Sequence, residues 1–162
     1  MALNAYLMME GQSSGPVKGS VTQKGREDSI MVVAFNHEII SPRDAASGLP
    51  TGKRQHKPIR IKCEIDKATP ILYNILVNNE NITKWELKFW RPSQTGAEQQ
   101  YYTIKLTNAN IARIEADTAN NKIPELMRLP DMVTYEFTYQ KIEWTWTDGG
   151  IMAEDDWESP VV

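Results

Sequence analysis

Residues 135–146 read YEFTYQKIEWTW and carry five aromatic rings in twelve positions. Tyr135, Phe137 and Tyr139 occupy odd positions, whereas Ile142, Trp144 and Trp146 occupy even ones. A β-strand points successive side chains to opposite faces. One straight strand would therefore bury first one face and then the other. A single extra residue shifts the parity, and a β-bulge supplies one. The stretch predicts a bulge near Gln140–Lys141, with both aromatic runs buried on either side of it.

The segments upstream are also strand-like. The run ALNAYLMM (2–9) is apolar almost without interruption, as in a strand covered on both faces. Residues 29–40, SIMVVAFNHEII, are β-branched and apolar on both faces. In IRIKCEI (59–65), Ile59, Ile61, Cys63 and Ile65 face one way and Arg60, Lys62 and Glu64 the other. TKWELKFW (83–90) alternates in the same manner. In residues 98–116 the apolar positions are even at Tyr102, Ile104 and Leu106, odd at Ile111 and even again at Ile114, so a bend or bulge is expected there too. Helical spacing stands out only in DKATPILYNILVNNEN (66–81). Thr69 is expected to cap it, Pro70 to take the first helical position, and Asn78–Asn79 to end it. Many strands and one short helix predict a mainly β fold, a two-sheet barrel or sandwich with the helix at its side.

The chain has 162 residues, enough for one domain that buries about 70% of its unfolded surface. We take 1–162 as that single domain. Its net charge of −3 gives no global drive toward nucleic acid or an anionic membrane. One cysteine, Cys63, allows no internal disulfide, and it continues the apolar stripe of its strand. The N-terminal residues lack a basic leading region, and no apolar run reaches the ~18 residues of a membrane span. No cleaved signal peptide and no membrane insertion are expected.

Residues 41–58, SPRDAASGLPTGKRQHKP, form an extended loop rich in glycine and proline. Connections this long without regular structure are uncommon and usually functional or disordered. The loop carries Arg43, Lys53, Arg54, His56 and Lys57, and the acidic tail at 151–162 carries Glu154, Asp155, Asp156 and Glu158. Opposite charges of this kind suit a contact between subunits. The candidate interface comprises Pro42, Arg43, Asp44, Leu49, Lys53, Arg54, Gln55, His56 and Lys57 of the loop, with Asp155, Asp156 and Trp157 of the tail. Trp157 needs a surface to bury against, in its own subunit or a neighbour.

Chemistry of other kinds finds little support. His37 shares a strand face with Phe35 and is expected to pack, while His56 is expected to face solvent or a partner. Neither has a nucleophile at readable spacing. No zinc spacing, P-loop or dinucleotide fingerprint is present, and the acidic tail lacks the pattern of a calcium loop. The basic loop lacks the interleaved aromatics of a single-strand nucleic-acid binder. No catalytic residue, metal or cofactor is expected.

The stretch YEFTYQKIEWTWTDGG followed by AEDDWE resembles the Hcp family, the tube proteins of the type VI secretion system. The resemblance extends over SPRDAASGLPTGKRQHKPIRI, EIDKATPILYNIL, WELKFW and YYTIKLTNANI, almost the whole chain. It implies a compact two-sheet β-barrel similar to phage tail-tube proteins. It also implies a homo-hexameric ring that stacks into a tube, enclosed by a contractile sheath above baseplate proteins, tipped by a VgrG spike and carrying effector cargo in its lumen. Such a protein waits in the bacterial cytoplasm and is fired out of the cell. The alternative from the residues alone is a stand-alone β-module that binds a glycan or a protein ligand. A hydrolase using His37 is the weakest reading.

Overall fold

The computed structural model describes residues 3–158. The ends of the expected 1–162 domain, including the last four residues of the tail, lie outside the described residues. Strands β1 (Ala5–Gly11), β2 (Gly15–Val17), β3 (Ile30–Asn36), β4 (Ile39–Ile40), β5 (Gln55–His56) and β6 (Ile59–Glu64) precede helix α1 (Thr69–Val77). Strands β7 (Ile82–Pro92), β8 (Glu98–Thr107), β9 (Asn110–Asp117), β10 (Met132–Thr138), β11 (Lys141–Trp146) and β12 (Ile151–Asp156) follow it. Every pairing is antiparallel. The main path runs β12-β11-β8-β7-β1-β3-β6-β10-β9, with β2 beside β1, while β4 and β5 pair only with each other.

The sheet folds over on itself. Strands β7 and β10 are separated along the path by β1, β3 and β6, yet Trp85 of β7 meets Phe137 of β10 edge-on, ring centroids 5.4 Å apart. The half β1-β7-β8-β11-β12 thus packs face to face with the half β3-β6-β10-β9. The path ends at β12 and β9 instead of closing, so the architecture is a sandwich and not a closed barrel. Apolar side chains from both layers fill the space between them, among them Leu7, Ile61, Trp85, Leu87, Tyr135 and Phe137. No helix among the described residues is long and apolar enough to cross a membrane.

This folding accounts for the parity change. The expected bulge at Gln140–Lys141 is instead a break between two strands. Strand β10 pairs with β6 and β9 in one layer, and β11 pairs with β8 and β12 in the other. Tyr135, Phe137 and Tyr139 point inward from the first layer and Ile142 from the second, and all four are buried. At this break the chain passes from one layer to the other and exchanges its inner and outer positions between Tyr139 and Ile142. The partner crossing, β8 to β9, lies alongside. Gln140 N donates to Thr107 O at 3.1 Å, and Asn108 takes the left-handed conformation at φ 51°. In β9, Ile111 faces Phe137 and Arg113 faces Glu136, which leaves Ala112 as a bulge residue. That bulge produces the odd-to-even change between Ile111 and Ile114.

The expected burial fails at one end. Cross-strand register aligns Ala5, Phe89, Tyr102, Trp146 and Ile151 in one row across five strands. The row begins buried at Ala5, 3% exposed, and opens toward its end, with Trp146 at 37% beneath the Arg91 guanidinium and Ile151 at 69%. Ile142 of β11 is buried and Asp155 of β12 is met by β5, but the inner face of these two strands is open at its Trp146–Ile151 end.

Helix α1 forms where expected but starts differently. Thr69 is not its cap. Asp66 Oδ1 accepts from Ala68 N at 2.9 Å, and Thr69 Oγ1 accepts from Asp66 N at 3.1 Å. Thr69 is itself the first helical residue and Pro70 the second. The helix ends at Asn78, with Asn79 left-handed at φ 48° as the sequence indicates.

Candidate functional site

The loop at 41–58 is a two-stranded arm and not an irregular excursion. Ile39 and Ile40 of β4 pair with His56 and Gln55 of β5 at its base. Further out, Arg43 and Pro50 form a bridge, and Thr51 N donates to Pro42 O at 3.0 Å. The tip is a tight turn: Asp44 Oδ2 accepts from Ser47 N at 2.7 Å, and Gly48, at φ 73°, returns the chain so that Asp44 N reaches Leu49 O at 2.8 Å. Leu49 and Lys53 project into solvent, and Gln55 and Lys57 are exposed along the return limb.

The base of the arm is clasped to the tail within the same chain. Arg54 Nε donates to Asp155 Oδ2 at 2.5 Å and Nη2 to Oδ1 at 2.7 Å. Arg54 Nη2 also reaches Asp156 O at 3.0 Å. This two-pronged contact is the geometry for which a guanidinium is best suited. The arginine hydrogen bond holds the Asp155 carboxyl below the ordinary carboxylate range, and the same bond raises Arg54. The charge pairing expected between subunits is thus made inside one subunit.

His56 departs from its expected exposure. Its side chain is only 2% exposed. Nε2 lies 2.7 Å from Asp155 Oδ2, Nδ1 lies 2.7 Å from the Tyr139 hydroxyl, and the ring sits 5.7 Å from that of Trp157. His37, in the turn between β3 and β4, places Nε2 2.7 Å from the same hydroxyl. Trp157 donates from Nε1 to Tyr139 O at 2.6 Å in its own subunit, with about a third of the residue still exposed. The structure therefore gathers Arg54, His56, Asp155, Asp156 and Trp157 around Tyr139 and His37. It leaves Pro42, Arg43, Asp44, Leu49, Lys53, Gln55 and Lys57 outside that cluster. Tyr139 and His37 had no distinguishing spacing, since each reads as an ordinary packed aromatic.

The order Asp155–His56–Tyr139 is that of acid, base and nucleophile, but the hydroxyl is poorly placed for attack. Tyr139 is 5% exposed, and burial pushes its phenol above its usual range. A nucleophile needs access and an easily lost proton. Cys63 is likewise buried, and burial raises its thiol well above the usual range. Among the described residues, no group of three or more His, Cys, Asp or Glu side chains is placed to hold a metal ion. What this cluster does chemically is fix the arm and the tail in place.

Comparison with known proteins agrees with the geometry. Residues 6–146 match the family described as "Type VI secretion system effector, Hcp". The "Major exported protein" of Pseudomonas aeruginosa is 39% identical, over 99% of this chain and 99% of its own. A solved structure described as that of an Hcp protein superposes with a TM-score of 0.89 at 30% identity, covering 96% of this chain and 100% of the other. The secreted protein Hcp3 from Pseudomonas aeruginosa matches with a TM-score of 0.78 at 32% identity, over 96% of this chain and 99% of its own.

Proposed function

Because the chain belongs to the Hcp family of the type VI secretion system, we propose that it is the structural subunit of a hexameric ring. Such rings stack into the inner tube of the apparatus. In this reading the tube lies inside the contractile sheath, rests on the baseplate, carries a VgrG spike at its tip and holds effectors in its lumen. The protein resides in the bacterial cytoplasm until the sheath contracts and drives it outward. Its mechanism is assembly and mechanical delivery, with the energy stored in the sheath.

The observation that carries this reading is the uncovered end of the sandwich. The row from Ala5 to Ile151 leaves the core still apolar, on strands that end at an unpaired edge. Exposed edges are normally blunted or covered. A ring contact is heterologous, with one patch meeting a different patch on the next copy, and the two ends of this sheet, β12 and β9, supply different patches. The arm is the second contact. With Arg54, His56, Asp155, Asp156 and Trp157 fixing its base, its tip from Pro42 to Leu49 and its flank at Lys53, Gln55 and Lys57 are presented to a neighbouring copy.

Light scattering on purified protein, with negative-stain imaging, tests the proposal. Six-subunit particles and annular images are the expected result. A strict monomer at high concentration would overturn it and favour the ligand-binding β-module.

A further inference from the structure

The arm is attached to the body in an unusual way. Strands β4 and β5 hydrogen-bond to each other but have no ladder to the main sheet. Side chains make the attachment, and their hydrogen bonds have a definite direction. The Asp155 carboxylate only accepts, so His56 Nε2 carries a proton and donates to it at 2.7 Å. In neutral His56 the other ring nitrogen, Nδ1, then accepts, and the Tyr139 hydroxyl donates its one proton there. That leaves the Tyr139 oxygen to accept from His37 Nε2. The chain His37→Tyr139→His56→Asp155 is complete only with this pattern of protons.

An added proton on His37 keeps the bond to Tyr139 but puts a cation in a half-buried site beside the second imidazole. The titratable and charged groups facing the two rings are Tyr139 from the end of β10, Asp155 from β12 and Arg54 from the arm. Asp156 stands one step further out, against Arg54. The one anion in contact, Asp155, is already shared with Arg54.

We propose that His37, Tyr139, His56 and Asp155 form a pH-operated latch, which locks the arm and the end of the tail at Trp157 to the body while the His37 imidazole is neutral and releases them as it takes up a proton. Burial and the neighbouring His56 both hold His37 below the ordinary histidine value. A group depressed in the folded state stabilises that state above its unfolded value, and the contribution is lost as the pH falls through the folded one. The latch therefore weakens below about pH 6.5.

The latch is a property of one subunit and does not depend on the ring proposal. Amide hydrogen exchange on the full chain tests it, after correction for intrinsic rates, at Lys57 N, which is bonded to Glu38 O, and at Trp157 N, bonded to Gln140 O. Between about pH 7.5 and about pH 5, opening at these amides should rise by up to about thirtyfold, the limit for one proton taken up on release. Core amides of β7 and β1 should not follow. His37→Gln can still donate to Tyr139 but cannot titrate, so it should lose most of that response. Equal protection at both pH values, an equal rise in the core amides, or a full response retained in His37→Gln would each overturn the latch.

Discussion

Arg54 closes on Asp155 with two parallel hydrogen bonds that join residues 101 positions apart in the sequence. The contact ties a long arm to the last strand of the sheet. Arg54→Lys keeps the charge but loses the fork. We expect the variant to melt near the parent temperature, because the pair is part-buried at the base of the arm and away from the apolar core. Its arm should be cut faster by a protease with specificity for lysine or arginine. Equal cleavage of variant and parent would show that the fork does not hold the arm.

Asp155 also sets an acid limit distinct from that of the histidines. Hydrogen bonding to Arg54 depresses its carboxyl in the folded state. A depressed acid stabilises the fold above its unfolded value, about 3.9, and loses that contribution as the pH falls through the folded value. Asp155→Asn should therefore flatten the lowest part of the stability–pH curve, measured by denaturant titration. An unchanged curve below pH 4 would assign acid sensitivity to other carboxylates.

Phe137 is fully buried, with Trp85 5.4 Å away and Tyr135 6.4 Å away, ring centre to ring centre. It is where the two layers of the sandwich meet. Phe137→Ala should cost about 3–5 kcal/mol, the usual range for a large core aromatic. Chemical denaturation gives the value directly. A loss below about 1 kcal/mol would mean that the layers are not packed through this ring.

Much of this fold was legible because alternation reports burial. Ile59, Ile61 and Cys63 alternate and lie inside, and the helical stripe with its Asn79 terminus lies where the spacing indicates. The parity change at Gln140 was visible as well, but not its form. A bulge and a crossing between layers both exchange inner and outer residues, and only tertiary pairing separates them. The latch was the least legible part. His37, His56, Tyr139 and Asp155 come from four distant segments, and nothing local marks a tyrosine whose hydroxyl serves two histidines. Exposure of the row ending at Ile151 was hidden for a related reason, since an apolar strand reads the same whether its cover is its own chain or another.

Gly19 shows a constraint that turn chemistry alone does not explain. A Cβ at this position would lie 2.2 Å from Ser29 O and 2.8 Å from Ile30 Cα. Both are backbone atoms, and Gly19 N is itself bonded to Asp28 O at 2.9 Å. Nothing flexible can give way. Gly19→Ala should destabilise by about 1–3 kcal/mol through overpacking. A variant as stable as the parent would require this segment to sit further from β3.

The strongest separation of folding from assembly is at Ile151. Its side chain lies on the inner row of the sheet yet is largely open in one subunit. Polar substitutions at exposed positions usually change stability by no more than about 0.5 kcal/mol, so Ile151→Ser should leave the melting of the lone subunit almost unchanged. If a neighbouring copy covers this row, the same change removes apolar contact from every seam of a closed ring, and the effect is repeated at each seam. The variant should form six-subunit particles only at higher concentration than the parent, as read by light scattering across a dilution series. Val77→Ser, at the end of helix α1, is the matched comparison, because it is as exposed but lies off both the sheet and the arm. Should Ile151→Ser assemble at the parent concentration, the seam would have to lie elsewhere on the subunit, and the open end of the sandwich would need another occupant.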